Sequence, residues 1–399
     1  MRTMHPVLMT GVNEWNEDWL PRDEYFGRLS ALRQIMKARG WDGVIIHGDC
    51  DRCPIITYLT NYYPISRWSL VYVGLEGEPR LLVAGGTRDI PAAVDQSNLR
   101  EMSSYGNSDT LLPEWVKAPP GRNRALLGSY GFGTMRPPIY KNITGILEPI
   151  ADLEEADALL DAALFQRKRS REVEVIGQAS GIVQRSLDAF AAAFRSGSTV
   201  TEAAIAAERT ARLAAVQDVR LLVSFDGGST LQPFFQMKPV RHDPVVVYLA
   251  LRYCGYWSEA MTTLSSKPHA ALTIANAELD AMIDGLKPDL SGVALTQLGE
   301  RARGRAALSR YKTMKDRIAA VLHHPIVKDR IGYGIGVALE EAQIMRGDAG
   351  PVIHDGGVYT LHAGVSNNDG AALTSAIVHV TASGNRVLCR DTNAGSGKA

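Results

Sequence analysis

The sequence predicts an α+β protein of two domains. Three observations carry that prediction. The chain has 399 residues, more than one domain of roughly 150 residues accounts for. Over residues 1–165 short apolar runs alternate with helical periodicities, the signature of an α/β unit. Over residues 166–399 long helices come in pairs, interleaved with strands that return as hairpins, which argues for antiparallel sheets and against a parallel dinucleotide-binding sheet.

Each element has its own signal. Residues 23–40 place Tyr25, Leu29, Leu32, Ile35 and Met36 at helical spacing, and Gly40 supplies the stop. Strands follow at residues 43–46, 69–73 and 80–84, the last two joined by the turn-rich segment 74–79. Another strand is expected at 124–128 and a helix at 155–165. The second domain opens with a helix over 171–194, broken by Gly197 and Ser198. Thr199 then caps the next helix, with Glu202 three residues on completing a capping box. Strands are expected at 221–225, 245–251 and 256–264, and helices at 271–286 and 295–308. The segments GYGIGVAL, GGVYTLHAGV, AALTSAIVHVT and RVLCR read as strands and turns, and the Gly-, Ser- and Asn-rich tail after Asp391 as a fraying end.

Composition removes several classes of function. Lys plus Arg and Asp plus Glu both number 43, so the chain lacks the basic excess that binding to a phosphate backbone uses. The longest strongly apolar run, 245–251, is far short of the ~20 residues of a spanning helix. The amino terminus has no continuous apolar stretch and turns acidic early, unlike a secretory signal. Four cysteines do not make a disulfide framework in a chain of this length. The expectation is a soluble, cytoplasmic protein acting on a small molecule, with no nucleic-acid or membrane partner.

Local motifs are sparse. Cys50-Asp-Arg-Cys53 follows a strand and precedes Pro54; it reads as two loop thiols, with a redox pair or half a zinc site joined by His47 as alternatives. The glycines at 128, 131 and 133 have the wrong spacing for a dinucleotide fingerprint, and neither a Walker loop nor a Gly-x-Ser-x-Gly elbow occurs. His323-His324-Pro325 reads as a structural pair. Asn142-Ile-Thr144 is a formal glycosylation sequon without meaning in a cytoplasmic protein.

The order of segments in the second half is more informative. RKRSREVEVIGQAS, VVVYLALRYCGYWSEAMTTL, IGYGIGVALEE, VYTLHAGV and GAALTSAIVHVTASGNRVL resemble, in sequence order, the opening helix, central hairpin, glycine motif and two closing strands of the creatinase, prolidase, aminopeptidase P and methionine aminopeptidase family. The first half, with Thr57-Tyr-Leu-Thr-Asn-Tyr62, resembles the smaller domain of creatinase and prolidase. The resemblance implies a "pita-bread" domain behind a small α/β domain, and a homodimer.

In that family five side chains, two Asp, one His and two Glu, hold two divalent cations. Carried over one at a time, these positions fall on Tyr248, Glu259, Tyr333, His362 and Thr374. One carboxylate in five is too few anionic oxygens for two hard cations, so the resemblance implies a site without metal or other cofactor. Creatinase is the family's metal-free precedent. Its carboxylate-binding arginine falls on Arg67, its catalytic histidine near Gln232 and Pro233, its pocket glutamates on Met261 and His362, and the family's second histidine on Glu340. The expected catalytic set is therefore His362, Glu259, Tyr333 and Tyr248, with Arg67, Glu340 and Gln232 binding substrate. A buried Glu beside a His suits proton transfer, and tyrosine hydroxyls can donate to an oxyanion. The reaction that this implies first is hydrolysis of a C–N bond in a small carboxylate-bearing metabolite. A lyase, isomerase or cyclase using the same pocket, and a non-catalytic binding protein, are the alternatives.

Overall fold

A computed structural model describes residues 15–390 apart from 51, 65–66, 85–89, 91–93, 95–96, 100, 227, 235–241, 314, 316–323, 329, 342, 347–350 and 368–369. The chain divides into two compact units, Met1–Leu164 and Phe165–Ala399. The architecture is the α+β one that the periodicities predict. No helix among the described residues is long and apolar enough to cross a membrane.

The first unit is built on a six-stranded sheet in the order β4-β3-β2-β1-β5-β6. Helix α1 (Arg22–Arg39) ends at Gly40, whose left-handed φ of 71° returns its N–H to the Lys37 and Met36 carbonyls. Strand β1 (Gly43–Asp49) then runs into the short helix α2 (Pro54–Thr60). β1 pairs antiparallel with β2 (Trp68–Gly74) on one side and parallel with β5 (Ala125–Tyr130) on the other. Beyond them lie β3 (Arg80–Val83), β4 (Met102–Ser104) and β6 (Ala151–Glu155). Helices α3 (Ser108–Trp115) and α4 (Pro137–Leu147) lay Leu112, Trp115, Ile143 and Leu147 on Ile45, Leu70 and Leu127 of the sheet. Each side chain so buried contributes on the order of 1.5–3 kcal/mol. Helix α5 (Asp157–Phe165) starts two residues later than its periodicity predicts, because Glu155 still pairs with Ser129 as the last residue of β6.

The second unit opens with α6 (Ser170–Arg195) and α7 (Val200–Leu213). The predicted capping box is present: the Glu202 N–H donates to Thr199 Oγ1 at 3.2 Å and the Thr199 N–H to the Glu202 carboxylate at 2.8 Å. A three-stranded antiparallel sheet joins β7 (Asp218–Val223), β8 (Val245–Tyr253) and β9 (Tyr256–Leu264). After helices α8 (Ala270–Gly285) and α9 (Gly292–Arg310) comes a four-stranded sheet of β10 (Gly332–Gly334), β11 (Val358–Asn367), β12 (Gly370–Thr381) and β13 (Gly384–Arg390). GYGIGVAL is a strand only at its start, since the chain folds back after Gly334 to let the Glu341 N–H reach the Gly334 carbonyl at 2.8 Å.

Two features of this unit matter for function. Alternation along β11 sends Tyr359, Leu361 and Ala363 into the core with Leu279, Met282 and Ile283 of α8, which leaves Thr360 and His362 on the other face. The two sheets are also tied to each other by side chains: Thr263 Oγ1 donates to the Leu373 carbonyl and accepts from the Leu373 N–H, both at 2.8 Å, and Ser375 Oγ accepts from the Met261 N–H at 2.7 Å.

Candidate functional site

Four strands of the second unit bring five polar side chains together. On β9, Glu259 stands opposite Ala250 of β8, and Tyr248 lies two residues along β8 on the same face. On β10, Tyr333 stands opposite Thr360 of β11, and His362 follows Thr360 by one period. Gly332 makes this pairing possible, because a Cβ there would run into the Thr360 carbonyl oxygen. The ties between β9 and β12 then hold the two sets of side chains face to face.

All of them converge on Glu259. Its Oε1 accepts from the Thr360 hydroxyl at 2.9 Å and lies 2.9 Å from His362 Nε2. Its Oε2 accepts from Tyr248 at 2.7 Å, and the Tyr333 hydroxyl stands 2.9 and 2.8 Å from the two oxygens. The Tyr333 and His362 rings meet edge to face with centroids 5.2 Å apart. Glu259, Tyr333, Thr360 and His362 are all buried, whereas Tyr248 is half-buried.

This arrangement sets the charges. Burial pushes the Glu259 carboxyl upward, but the donors His362, Tyr248 and Tyr333 outweigh it and leave the group below the ordinary carboxylate value. Burial, reinforced by the Glu259 charge, drives both tyrosine hydroxyls upward, so they stay protonated. Glu259 is thus a buried carboxylate whose charge is held by hydroxyl and imidazole donors.

Two other predicted residues lie elsewhere in the second unit. Glu340 is exposed and pairs with Arg330. Gln232 is exposed and donates to Thr230 Oγ1 at 3.5 Å, while its backbone bridges to Val223. Neither joins the Glu259 cluster, because the chain around each turns its side chain to solvent. Arg67 belongs to the first unit, where one guanidinium N–H donates to the Ala84 carbonyl at 3.0 Å. Strand register also moves the last ligand position: Ser375, not Thr374, pairs with His362 and shares its face, whereas Thr374 pairs with Ala363. Met261 is buried with Val246 and Leu373. His324 is buried, its Nδ1 accepting from the Ile326 N–H at 3.2 Å and its Nε2 bonded to the Gly228 carbonyl at 2.8 Å; His323 lies outside the described residues. Neither Cys50 nor Cys53 is in a disulfide, and Cys53 Sγ accepts from the Thr57 hydroxyl at 3.7 Å.

Sequence reasoning missed Thr360 and Ser375. The signal for Thr360 was its place one strand period before His362. Ser375 was hidden by a one-residue slip, which sends a side chain to the opposite face.

The site does not fit two divalent cations. Such ions need several anionic oxygens with free lone pairs, whereas both oxygens of the one carboxylate here are engaged by hydroxyl and imidazole groups and both phenols keep their protons. Among the described residues, no group of three or more His, Cys, Asp and Glu side chains could hold a metal ion.

Comparison with known proteins agrees with the fold. The family model of metallopeptidase family M24 matches residues 174–384. The prolidase of Pyrococcus horikoshii superposes with a TM-score of 0.71 at 15% identity, covering 92% of this chain and 98% of that one. The X-Pro aminopeptidase of Thermotoga maritima gives 0.70 at 14%, covering 92% and 98%. A dipeptidase of Mycobacterium ulcerans gives 0.69 at 16%, covering 94% and 97%. No curated protein sequence matches significantly.

Proposed function

The chain belongs to metallopeptidase family M24, and from that premise we propose that it is a metal-independent enzyme of this family, hydrolysing a C–N bond in a small carboxylate-bearing metabolite. The observation that carries the reading is the convergence of Tyr248, Tyr333, Thr360 and His362 on Glu259. These donors take over the neutralisation of charge for which the family uses cations.

The chemistry assigned to the site is general acid–base catalysis. With Nε2–H donated to Glu259, the free lone pair of the neutral His362 ring is on Nδ1. Nδ1 takes a proton from water while the water oxygen bonds to the electrophilic carbon. The imidazolium then returns that proton to the leaving nitrogen as the C–N bond breaks. Glu259 holds the ring in one tautomer and stabilises its charged form. Tyr248 and Tyr333 act here by holding Glu259, since their protons are directed at its carboxylate and not at an oxyanion. Arg67, supplied by a second copy of the chain in a homodimer, is the proposed anchor for the substrate carboxylate.

A second reading is favoured by one observation: every donor around Glu259 is already engaged, as in a closed structural network. In that reading the protein binds a ligand without turning it over.

The test is a hydrolysis screen with N-acyl and N-carbamoyl amino acids in chelator-treated buffer. The proposal expects turnover that chelation does not reduce, incorporation of oxygen from labelled water, and loss of turnover in a His362→Ala variant that still folds, at a melting temperature lowered by the loss of one buried donor to Glu259. Turnover that appears only with added divalent cation would falsify metal independence. No turnover of any substrate, together with saturable binding, would establish the second reading.

A further inference from the structure

We propose that the first unit carries a binding site of its own for a small planar carboxylate, in the cavity between Arg67 and Arg136. The cavity measures about 590 Å³, within the usual range of small-molecule sites. Its place in the sheet is the first argument. β1 is the strand at which the sheet order reverses, with β2 on one side and β5 on the other. The crevice at the carboxyl end of such a strand is where open α/β sheets place their ligands. Because β2 runs against β1, with Asp49 opposite Trp68, the start of β2 lies at that same edge, and Arg67 and Trp68 line the cavity with His47.

The chemistry of the lining is the second argument. His47 is 3% exposed, and its Nδ1 is buried with no hydrogen-bond partner. A buried polar atom left without a partner costs about 1–3 kcal/mol, which a ligand atom at that position would recover. Among the described residues, Arg67 and Arg136 make no ion pair and Arg67 commits one N–H, to the Ala84 carbonyl. Against these two cations stands one lining acid, Asp49. Two guanidinium forks select a carboxylate by paired hydrogen bonds. Trp68 and Tyr105, packed edge to face with centroids 4.3 Å apart, add aromatic surface suited to a flat ring. Burial pulls the His47 imidazole below its ordinary value against the opposing pull of Asp49, so it meets the ligand as a neutral hydrogen-bonding group.

The inference is independent of the chemistry at Glu259. Arg67 is common to both readings, so the test rests on Arg136 and His47. Benzoate is titrated calorimetrically into the full chain, with benzamide and inorganic phosphate as comparators. The expected result is one saturable benzoate site per chain, weakened at least about tenfold, or 1.4 kcal/mol, by Arg136→Ala and likewise by His47→Ala. Benzamide is expected not to displace it. Arg136 is exposed, so its variant folds and decides the matter even if His47→Ala does not. Benzoate binding is expected to survive in His362→Ala, and its loss there would assign the titration to the second unit and overturn the proposal. Absence of saturation by about 10 mM, beyond the weak end of specific binding, would also overturn it, as would affinity unchanged in Arg136→Ala. Displacement by phosphate as effective as by a second aromatic carboxylate would refute the ligand class.

Discussion

The Tyr333 hydroxyl stands 2.9 and 2.8 Å from the two oxygens of Glu259, bridging a carboxylate that has no exposure to water. One proton is shared between two acceptors, and its loss would leave both oxygens short of a donor. Tyr248 serves Oε2 alone and is half-buried. Tyr333→Phe is therefore expected to destabilise the fold by about 1.5–3 kcal/mol, the worth of a hydrogen bond to a charged group. Tyr248→Phe should cost less, because its hydroxyl serves one oxygen where that of Tyr333 serves both. Urea-unfolding midpoints compare the two, and a larger loss in Tyr248→Phe would invert the roles assigned to them.

The same donors give Glu259 a characteristic response to acid. Its carboxyl lies below the ordinary value of 4.5 when folded, so between the folded and unfolded values the unfolded chain binds the extra proton. The resulting stability is complete above about 4.5 and disappears as pH falls through the lower folded value. Glu259→Gln is expected to be less stable than the parent at neutral pH, with the gap closing on acidification below 4.5. A gap independent of pH across that range would mean that the carboxylate charge contributes nothing.

Much of this was legible in the sequence, and the reason differs from residue to residue. Tyr248, Glu259, Tyr333 and His362 are reached through the resemblance of the hairpin, the glycine motif and a closing strand to those of the family, since the strands themselves are buried almost throughout and alternate little. Thr360 needed only the period-two rule of strands. Glu340 and Gln232 lie in segments that turn, where position in a motif does not determine side-chain direction, and both point to solvent. The helices α2, α3 and α4 went unread because they are short, and two of them begin at proline, which marks a helix start and a loop alike. Ser375 shows how sensitive strand arguments are to register.

A second buried carboxylate predicts the opposite pH response. Glu341 is bonded to Lys168 Nζ at 2.5 Å, while its Oε1 has no partner. Burial pushes its carboxyl up to about 7 against the pull of Lys168, with a further push from Glu172. Between 4.5 and 7 the folded form holds a proton that the unfolded chain has lost. This contribution is present below 4.5 and is lost as pH rises through 7, by at most about 3.5 kcal/mol at about 1.4 kcal/mol per unit. Glu278, also raised to about 7, slopes the same way, so the measurement is the difference between the parent and Glu341→Gln. The variant is expected to show a shallower decline over that interval, and parallel curves would show that Glu341 is ionised throughout.

The close approach of β10 to β11 gives the last prediction. Gly332 pairs with Leu361, and a Cβ at Gly332 would meet the Thr360 carbonyl oxygen and, at 3.2 Å, the Leu361 side chain. The oxygen is backbone in the middle of a ladder and cannot swing aside as a flexible side chain could. Gly332→Ala must therefore push the two strands apart, at a cost of about 1–3 kcal/mol for overpacking. It also moves Tyr333, the next residue, away from Glu259. Gly133, where a Cβ meets nothing within 4 Å, provides the control. Gly332→Ala is expected to lower the melting temperature by several degrees while Gly133→Ala leaves it nearly unchanged, and combining Gly332→Ala with Tyr333→Phe should cost less than the two separately, because the first has already displaced the hydroxyl that the second removes. Strictly additive losses would mean that the strand contact and the Tyr333–Glu259 bond are independent.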